Sequence, residues 1–253
     1  MHQNKRIARI KEILAEQKEL TTKEIMNEFK VSQDTARRDI LLLVEKGAAI
    51  KTHGGIISPN YDHLIPGYEE RLLRSTKEKN AIAKAALTYL KKETVCFVDV
   101  STILLKFCQN MNEKITVYTH SLDNVLAMSL KEQIKVNLLG GLLNIENRFF
   151  YGMDTLQKIS KIHFDIAFVA ASSIDERGIY LVNQEDAAIM QSVVENSRHI
   201  ILVAENQKFH NKSPYRVCSL SNINVLITDK SLTKEQRNYF NDNTEIKIVN
   251  EEK

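Results

Sequence analysis

The sequence has few cysteines, few prolines and no long apolar run, and each of these absences excludes a class of protein. The three cysteines, Cys96, Cys108 and Cys218, are widely spaced and odd in number. They fit neither a paired zinc motif nor a complete disulfide framework, and we predict buried thiols at Cys96 and Cys108. No stretch reaches the about 18 apolar residues of a membrane span, and the N-terminus lacks the apolar core of a signal peptide. We therefore expect a cytoplasmic protein with no membrane segment.

Charge and proline placement divide the chain. Its 253 residues allow one large domain or two smaller ones. Residues 1–60 carry the whole formal net charge of +3, and the remainder is neutral. Two of the three prolines, Pro59 and Pro66, fall between residues 58 and 75, a composition typical of a connector. We predict a small basic domain over residues 1–57, a linker over 58–75 and a larger domain over 76–253.

The basic segment predicts two short helices joined by a tight turn. Thr21 and Glu24 have the spacing of a capping box, and Ser32 suits the N-cap of the second helix. Apolar residues recur at helical spacing and predict one buried stripe across both helices. That stripe comprises Ile25, Phe29, Ala36, Ile40, Leu43 and Val44. An earlier helix with Ile7, Ile10, Ile13 and Leu14 supports the pair.

The second helix presents a polar, doubly basic face at its start. At about 100° per residue, Arg38 points away from the apolar stripe, and Gln33, Thr35 and Arg37 lie on its flanks. Exposed Gln and Arg side chains near a helix start can reach base edges or phosphates in the major groove. Adjacent arginines on a capped helix are also common on ordinary protein surfaces, so this helix alone does not establish DNA binding.

The residues after the second helix strengthen the DNA-binding interpretation. Gly47 suits a left-handed helix end, and two short extended runs follow it, with Lys51 and His53 on or near the turn between them. This order is that of a winged helix-turn-helix, which binds double-stranded DNA. The candidate DNA-binding residues are Ser32, Gln33, Thr35, Arg37, Arg38, Lys51 and His53.

The larger domain alternates short apolar runs with helical patterns. The apolar runs, at 95–98, 115–118, 134–139, 166–170, 200–204, 225–227 and 246–249, have the length of buried strands. Such alternation predicts an α/β fold in which helices cover both faces of a parallel sheet.

Polar and small residues follow several of these strands, and ligands of parallel sheets bind beyond the carboxyl ends of the strands. Hydroxyls, glycine amides at a helix start and a lysine suit a phosphate, and Asp99 suits sugar hydroxyls. The candidate positions are Asp99, Ser101, Thr102, Ser121, Gly140, Gly141 and Lys208. Each also has a simpler interpretation: Ser101, Thr102 and Asp99 as helix caps, the two glycines as a turn, and Lys208 as a solvated lysine.

The N-terminal motifs together resemble the DeoR family of bacterial transcription regulators. The resemblance is carried by Val31-Ser32, Thr35-Ala36-Arg37-Arg38-Asp39, Leu43, Gly47 and His53-Gly54-Gly55. It implies that Arg37, Arg38 and their neighbours contact an operator. The family pattern has Ile or Leu at the position of Ala36.

The second half resembles the sugar-sensing domain of the same family. The resemblance is carried by Asp99-Val100-Ser101-Thr102, Thr119-His120-Ser121-Leu122, Gly140-Gly141, Tyr151-Gly152, residues 164–168, Ile174-Asp175 with Gly178, and residues 203–209. It implies a Rossmann-like fold similar to ribose-5-phosphate isomerase, a phosphorylated sugar effector and a homodimer or homotetramer. It adds Gly152 to the effector-binding candidates. The chain differs from the family pattern at Val100-Ser101 and Glu205.

Three functions compete at this point. The first is a transcriptional regulator, most often a repressor of carbohydrate genes in this family, controlled by a phosphorylated sugar. The second is a sugar-phosphate isomerase with a DNA-binding appendage, for which Asp99, Asp175, Glu185 and Asp186 offer carboxylates but no compact pair. The third is a constitutive DNA-binding protein whose sensor has degenerated. We predict no catalytic residue, no metal site and no cofactor.

Overall fold

The computed structural model describes residues 3–17, 19–51, 54–57, 68–73 and 76–249. These belong to two compact units, residues 1–64 and 65–253. His53 and most of the predicted linker, residues 58–67 and 74–75, lie outside the described residues. Within the described ranges no helix is both long enough and apolar enough to cross a membrane.

The first unit is a three-helix arrangement with a small antiparallel sheet. Its elements are α1 (Gln3–Gln17), β1 (Glu19–Thr21), α2 (Thr22–Phe29), α3 (Gln33–Glu45), β2 (Ile50–Lys51) and β3 (Gly55–Ile57). The sheet has the order β1-β3-β2, with both pairings antiparallel. This is the predicted winged helix-turn-helix.

Local chemistry sets the ends of its helices as predicted. Thr21 and Glu24 form a capping box at the start of α2, with the Glu24 amide donating to Thr21 Oγ1 at 3.1 Å. Ser32 is the N-cap of α3, and Gly47 after that helix has φ +64°. The predicted stripe packs into one core, in which Ile10, Ile25 and Leu43 are fully buried.

Gly55 allows the wing to form. A Cβ atom at this position would lie 2.0 Å from Leu20 O and 2.6 Å from Thr21 Cα. Because Gly55 pairs with Thr21 in the sheet, any larger residue would push β3 away from β1. The strand pairing that supports the wing therefore depends on the absence of a side chain at Gly55.

The second unit is built on a seven-stranded sheet flanked by helices and smaller sheets. The helices are α4 (Tyr68–Leu73), α5 (Lys77–Leu87), α6 (Thr102–Asn110), α7 (Leu122–Met128), α8 (Met153–Ile159), α9 (Gln184–Glu195) and α10 (Lys234–Asn238). The strands are β4 (Val95–Val98), β5 (Ile115–Thr119), β6 (Ile134–Leu138), β7 (Leu142–Asn144), β8 (Phe149–Tyr151), β9 (Ile166–Ala170), β10 (Ser173–Asp175), β11 (Gly178–Leu181), β12 (Ile200–Val203), β13 (Tyr215–Cys218), β14 (Val225–Thr228) and β15 (Glu245–Ile248).

The main sheet is entirely parallel and doubly wound. Its order is β15-β14-β12-β9-β4-β5-β6, so the chain moves outward from β4 to β6 and then returns beside β4 to continue the other way. Alternate residues of its strands enter two separate cores: Phe97 packs on one face, and Cys96 and Val98 on the other. The α/β class and all seven predicted strands are confirmed, and the order is that of Rossmann-like folds.

Two smaller sheets were not predicted. One is the antiparallel hairpin of β7 and β8, and the other is the antiparallel sheet β10-β11-β13. The three cysteines are buried free thiols.

Part of the predicted linker belongs to the packed second unit. Helix α4 lies within residues 58–75, yet Tyr68 is only 2% exposed, and Lys79 Nζ donates to Arg71 O at 2.8 Å. An aromatic ring that large is rarely left in solvent when an apolar surface is available to cover it. The composition of the segment did not reveal this contact.

Candidate DNA-binding surface and effector site

The basic face of α3 is free. Arg37 and Arg38 are exposed, and among the described residues neither has a hydrogen-bond or ion-pair partner. Gln33 and Ser32 are exposed beside them, and Lys51 is exposed on β2. Unpaired guanidinium groups on an exposed helix face can reach phosphate oxygens or guanine edges without breaking an internal contact.

Ser32 and Thr35 also have a structural task. Ser32 Oγ lies 3.0 Å from Thr35 Oγ1 and accepts from the Thr35 amide at 3.4 Å, which caps α3. Both hydroxyls remain near the surface, Ser32 exposed and Thr35 half-buried. His53, the remaining predicted DNA contact, lies outside the described residues.

Asp39 lies on the opposite, buried face of α3, and the sequence analysis did not predict its structural role. It is fully buried, and Arg6 of α1 donates to it from Nη2 to Oδ1 at 3.1 Å. Gln3 Nε2 donates to the same oxygen at 3.2 Å. The hydrogen bond with Asp39, together with its charge, raises the pKa of Arg6 despite burial. The pair fixes α3 against α1 and so sets the direction in which its basic face points.

In the second unit, Asp99 links β4 and β9, the two neighbouring strands between which the strand order reverses. It follows β4, is fully buried, and its Oδ2 accepts from the amide of Ala170, at the end of β9, at 2.9 Å. Its Oδ1 accepts from the Val100 amide at 2.6 Å. Burial raises the pKa of Asp99 to about 7, and Asp186 contributes in the same direction. A carboxylate can accept about four hydrogen bonds, and the described residues supply two of them.

The predicted hydroxyl residues cap the helices that start at this edge. Ser101 Oγ accepts from the Leu104 amide at 3.0 Å, and Ser121 Oγ accepts from the Asn124 amide at 3.2 Å. Thr102 is 8% exposed in the first turn of α6. The capping interpretation is therefore correct for Ser101 and wrong for Thr102, which follows the cap, and Ser121 is a helix cap that was not predicted. A capping hydroxyl that accepts an amide still has its own proton to donate.

The three predicted glycines do not form one helix start. Gly140 and Gly141 lead into strand β7, so the expectation that they open a helix is wrong, and only Gly152 caps a helix, α8. Gly141 has φ +154°, and a Cβ there would lie 2.3 Å from Tyr151 O. Gly140 O accepts from Thr155 Oγ1 at 2.6 Å, which ties this turn to α8.

Lys208 belongs to a group of three cations that the sequence did not reveal. It is half-buried in the 3₁₀ turn Asn206–His210, and within the described part of the chain its ammonium has no partner. Burial lowers its pKa to about 8, and the charges of Arg71 and Lys79 contribute to the lowering. The charges of Arg71 and Lys79 thus act on Lys208, and cations placed so close together favour the binding of an anion.

A buried Asp–His–Asp cluster lies at the same edge of the sheet. His120 is fully buried, its Nε2 lies 2.9 Å from Asp186 Oδ1, and its ring stacks on Phe97 with centroids 5.7 Å apart. The expectation of no compact carboxylate pair is therefore wrong, because the fold brings Asp99 and Asp186 together. Ligand atoms of Asp99, His120 and Asp186 lie within 4.8 Å of one another, a spacing that would admit a cation. Among the described residues, one hydrogen bond links His120 to Asp186, Asp99 accepts from two backbone amides, and His120 Nδ1 is buried without a partner.

These two units define a DNA-binding regulator with a ligand-sensing domain. Residues 6–61 match the DeoR-like helix-turn-helix domain, and residues 74–230 match the DeoR C terminal sensor domain. The chain belongs to the DeoR family and is a transcriptional regulator rather than an enzyme.

Among its relatives is the HTH-type transcriptional repressor GlcR of Bacillus subtilis (strain 168), 34% identical over 231 residues, which cover 91% of this chain and 90% of that protein. Another is the glycerol-3-phosphate regulon repressor of Escherichia coli (strain K12), 27% identical over 232 residues, covering 90% of this chain and 92% of that one. Among solved structures, a ribose 5-phosphate isomerase from Methanocaldococcus jannaschii aligns over 51% of this chain and 52% of its own, with 15% identity and a TM-score of 0.37.

Proposed function

We propose that this protein represses genes of carbohydrate metabolism by binding a double-stranded operator, under the control of a phosphorylated sugar. The observation that carries the DNA-binding part is the free, exposed pair Arg37 and Arg38 on a helix otherwise anchored to its unit. We propose Ser32, Gln33, Thr35, Lys51 and His53 as further contacts. Such a regulator works where the chromosome is, which in a bacterium is the cytoplasm.

The effector part is supported by polar groups at the carboxyl edge of the sheet. Lys208 supplies a positive charge, and the proposed site comprises Asp99, Ser101, Thr102, Ser121, Gly140, Gly141, Gly152 and Lys208. Two relatives are named as repressors, and one name contains a phosphorylated polyol. We propose a division into a DNA-binding domain (1–57), a linker (58–75) and an effector domain (76–253). Helix α4 belongs to the linker and packs on the effector domain.

We propose a homodimer or homotetramer as the acting form. Half-sites of a two-fold operator lie about 34 Å apart per helical turn, so two DNA-binding domains must be held at a fixed spacing. An effector that changes this spacing alters simultaneous binding, and a coupling of roughly 1–3 kcal/mol is sufficient.

The DNA-binding proposal is tested on an operator obtained by selection from a pool of random duplexes. Fluorescence anisotropy then compares the wild type with Arg37→Ala, Arg38→Ala and the control Arg198→Ala, an exposed arginine of the second unit. We expect each α3 variant to lose about 1–3 kcal/mol of binding free energy if it contacts a base, or to reduce the salt slope by about one if it contacts a phosphate. Unchanged binding by both α3 variants would refute the assignment of this helix.

The effector proposal is tested by melting the protein with a panel of pentose and hexose phosphates and their unphosphorylated parents. A ligand that binds only the folded state at 100 times its Kd stabilises that state by about 2.7 kcal/mol. We expect at least one phosphorylated member, and not its parent, to raise the melting temperature. The absence of any shift would leave only constitutive DNA binding.

A further inference from the structure

The exposed apolar side chains of the second unit concentrate in one stretch of chain, from α7 to the start of α8. Among the described residues, seven of the thirteen exposed large apolar side chains lie between residues 126 and 153, and Leu130 and Ile145 are 93% and 81% exposed. Single exposed leucines are common on protein surfaces, but a cluster of this kind marks an interaction site. Five of the seven lie on β6, on the β7–β8 hairpin and at the start of α8. We call these five the hairpin surface: Leu138, Leu142, Leu143, Ile145 and Met153.

The β7–β8 hairpin is anchored through β8 and leaves β7 uncovered. Phe149 of β8 is fully buried, and the Phe150 amide donates to His120 O at 2.8 Å. Among the described strands, β7 pairs only with β8. Leu142 and Leu143 are consecutive, so their side chains point to opposite faces of the hairpin, yet both are exposed. A two-stranded hairpin whose outer strand is open on both faces gains stability from a further surface that covers it.

The charges around the hairpin surface suit a second copy of the same chain. Residues 136–145 contain no charged side chain. Exposed charges of both signs border this stretch, with Glu132 and Lys135 before it and Glu146 after it. Protein interfaces share this composition, in which charge is depleted at the centre and present at the rim. A rim of mixed sign can face its own copy without a general like-charge repulsion, and it does not select a partner of one strong charge.

The edge of β6 supplies the geometry of a two-fold contact. β6 is a terminal strand of the main sheet, and among the described strands only β5 pairs with it. An open edge presents backbone N–H and C=O groups that can pair with another strand. Two copies of one edge meet antiparallel about a two-fold axis, and the contact is closed because each copy uses the same surface. The other terminal strand, β15, carries two charges, Glu245 and Lys247, against the single Lys135 of β6, and charges on an edge strand discourage such pairing.

We propose that the hairpin surface and the edge of β6 form the two-fold contact between two copies of this protein. The inference rests on the proposed homo-oligomer and deepens it by identifying the surface. The contact also bears on the linker. Arg148, in the turn between β7 and β8, donates to Asp123 Oδ1 at 2.6 Å, and the Tyr68 hydroxyl of α4 is hydrogen-bonded to the same carboxylate. The pairing of two copies thus holds the hairpin turn, which Asp123 connects to the linker helix.

Sedimentation velocity of the full chain tests the contact. The variants are Ile145→Glu, the double variant Leu142→Glu with Ile145→Glu, and the control Ile248→Glu, which changes an exposed apolar residue of the opposite edge strand β15. Because each charge enters a two-fold contact twice, we expect Ile145→Glu to raise the dimer Kd on the order of tenfold or more. The double variant should be monomeric where the wild type is dimeric, and the control should associate as the wild type does.

Two further readouts separate a lost contact from a folding defect. The double variant should bind a duplex with one half-site as tightly as the wild type does, and the full two-fold operator more weakly. In addition, Ile145→Cys should cross-link to its copy with a bismaleimide, whereas Ile248→Cys should not. The native cysteines are buried free thiols, so the introduced thiol is the reactive one. This cross-link decides the question if a charged variant unfolds.

The outcomes distinguish the surface from the oligomer itself. If the double variant associates as the wild type does, or if Ile145→Cys forms no cross-link in the dimer, the inference is overturned while the proposed oligomer stands. A cross-link in Ile248→Cys alone would place the contact at the opposite edge of the sheet and overturn the inference as well. A wild type that is monomeric at every concentration removes the proposed oligomer and the inference together.

Discussion

Asp39 and Arg6 form a buried ion pair directly behind the exposed arginines of the recognition helix. Asp39 is adjacent to Arg38 in sequence but points into the core, where Arg6 Nη2 donates to its Oδ1 at 3.1 Å. The side chain of Arg6 is 8% exposed, and that of Asp39 is fully buried. The two faces of α3 therefore differ in function. The arginines of the exposed face remain available for DNA, whereas Asp39 on the buried face is neutralised by Arg6.

The first prediction follows from this burial. Asp39→Asn removes the carboxylate charge that the buried guanidinium of Arg6 contacts, and breaking a buried pair costs about 3–5 kcal/mol. We expect the first unit of the Asp39→Asn variant to unfold at a lower urea concentration, measured by circular dichroism and by amide exchange in α1 and α3. The operator affinity should fall in parallel, because α3 loses its support.

A matched control for Asp39 exists in α1. Arg9 Nη1 donates to Glu12 at 2.7 Å, but both side chains are more than half exposed. Exposed pairs of this kind contribute about 0–1 kcal/mol, so Glu12→Gln should leave the unfolding midpoint nearly unchanged. Equal midpoints for the Asp39 and Glu12 variants would show that the buried pair does not support the unit.

The second prediction concerns the two glycines of the wing. Gly55→Ala places a methyl group 2.0 Å from Leu20 O, so β3 must separate from β1. We expect a destabilisation of about 1–3 kcal/mol or more, typical of overpacking, together with weaker operator binding. Gly54→Ala is the control, because a Cβ there has no neighbour within 4 Å. Wild-type stability in the Gly55 variant would contradict the close pairing of these strands.

The main sheet could be predicted from sequence because each of its strands is a short apolar run between helical patterns. The hairpin β7–β8 was missed because its residues, such as Leu142 and Asn144, mix exposed apolar and polar side chains and show no clear period. The sheet β10-β11-β13 was missed for a related reason: β13 pairs with a strand far earlier in the chain, a relation that local pattern does not contain.

The candidate site could be predicted only in part, for a physical reason. Asp99 and Ser101 were identifiable because a strand end followed by polar residues is a local signal. His120 and Asp186 are 66 residues apart, and only the fold brings them to 2.9 Å. Arg71 was hidden because its segment contains proline and glycine and resembles a connector. Burial of charged groups is a tertiary property, and no single segment encodes it.

The third prediction is a pH dependence that comes from Asp99. Burial raises its pKa to about 7 in the folded protein, above the value of about 3.9 in unfolded chains. The folded state therefore binds the proton more tightly, and the stability gained from this group is complete below about pH 4 and lost as the pH rises through about 7. We expect the melting temperature of the second unit to fall between pH 5 and pH 7, measured by calorimetry.

Two variants assign this slope to Asp99. Asp99→Asn cannot titrate, so we expect its melting temperature to vary less than that of the wild type between pH 5 and pH 7. Asp165→Asn is the control. Like Asp99, Asp165 accepts a hydrogen bond from a strand amide, that of Val95 at 2.8 Å, but its side chain is exposed. It should retain the wild-type slope. A slope that persists unchanged in Asp99→Asn would assign the titration to another group.

The fourth prediction concerns Lys208 and the pH dependence of effector binding. Burial lowers the pKa of Lys208 to about 8, so its ammonium loses its proton in the range where a phosphate monoester stays dianionic. The phosphate binds the protonated form of Lys208, and we expect the affinity for the phosphorylated sugar to fall about tenfold between pH 7 and pH 9, measured by titration calorimetry.

Two variants assign this dependence to Lys208. Lys208→Gln should bind the phosphorylated sugar more weakly at pH 7 and lose the pH dependence. Lys212→Gln, which changes an exposed lysine four residues further on, should behave as the wild type. An affinity that is independent of pH in the wild type would mean that the ammonium of Lys208 does not contact the ligand, and the phosphate would then have to be held by other groups at the carboxyl edge of the sheet.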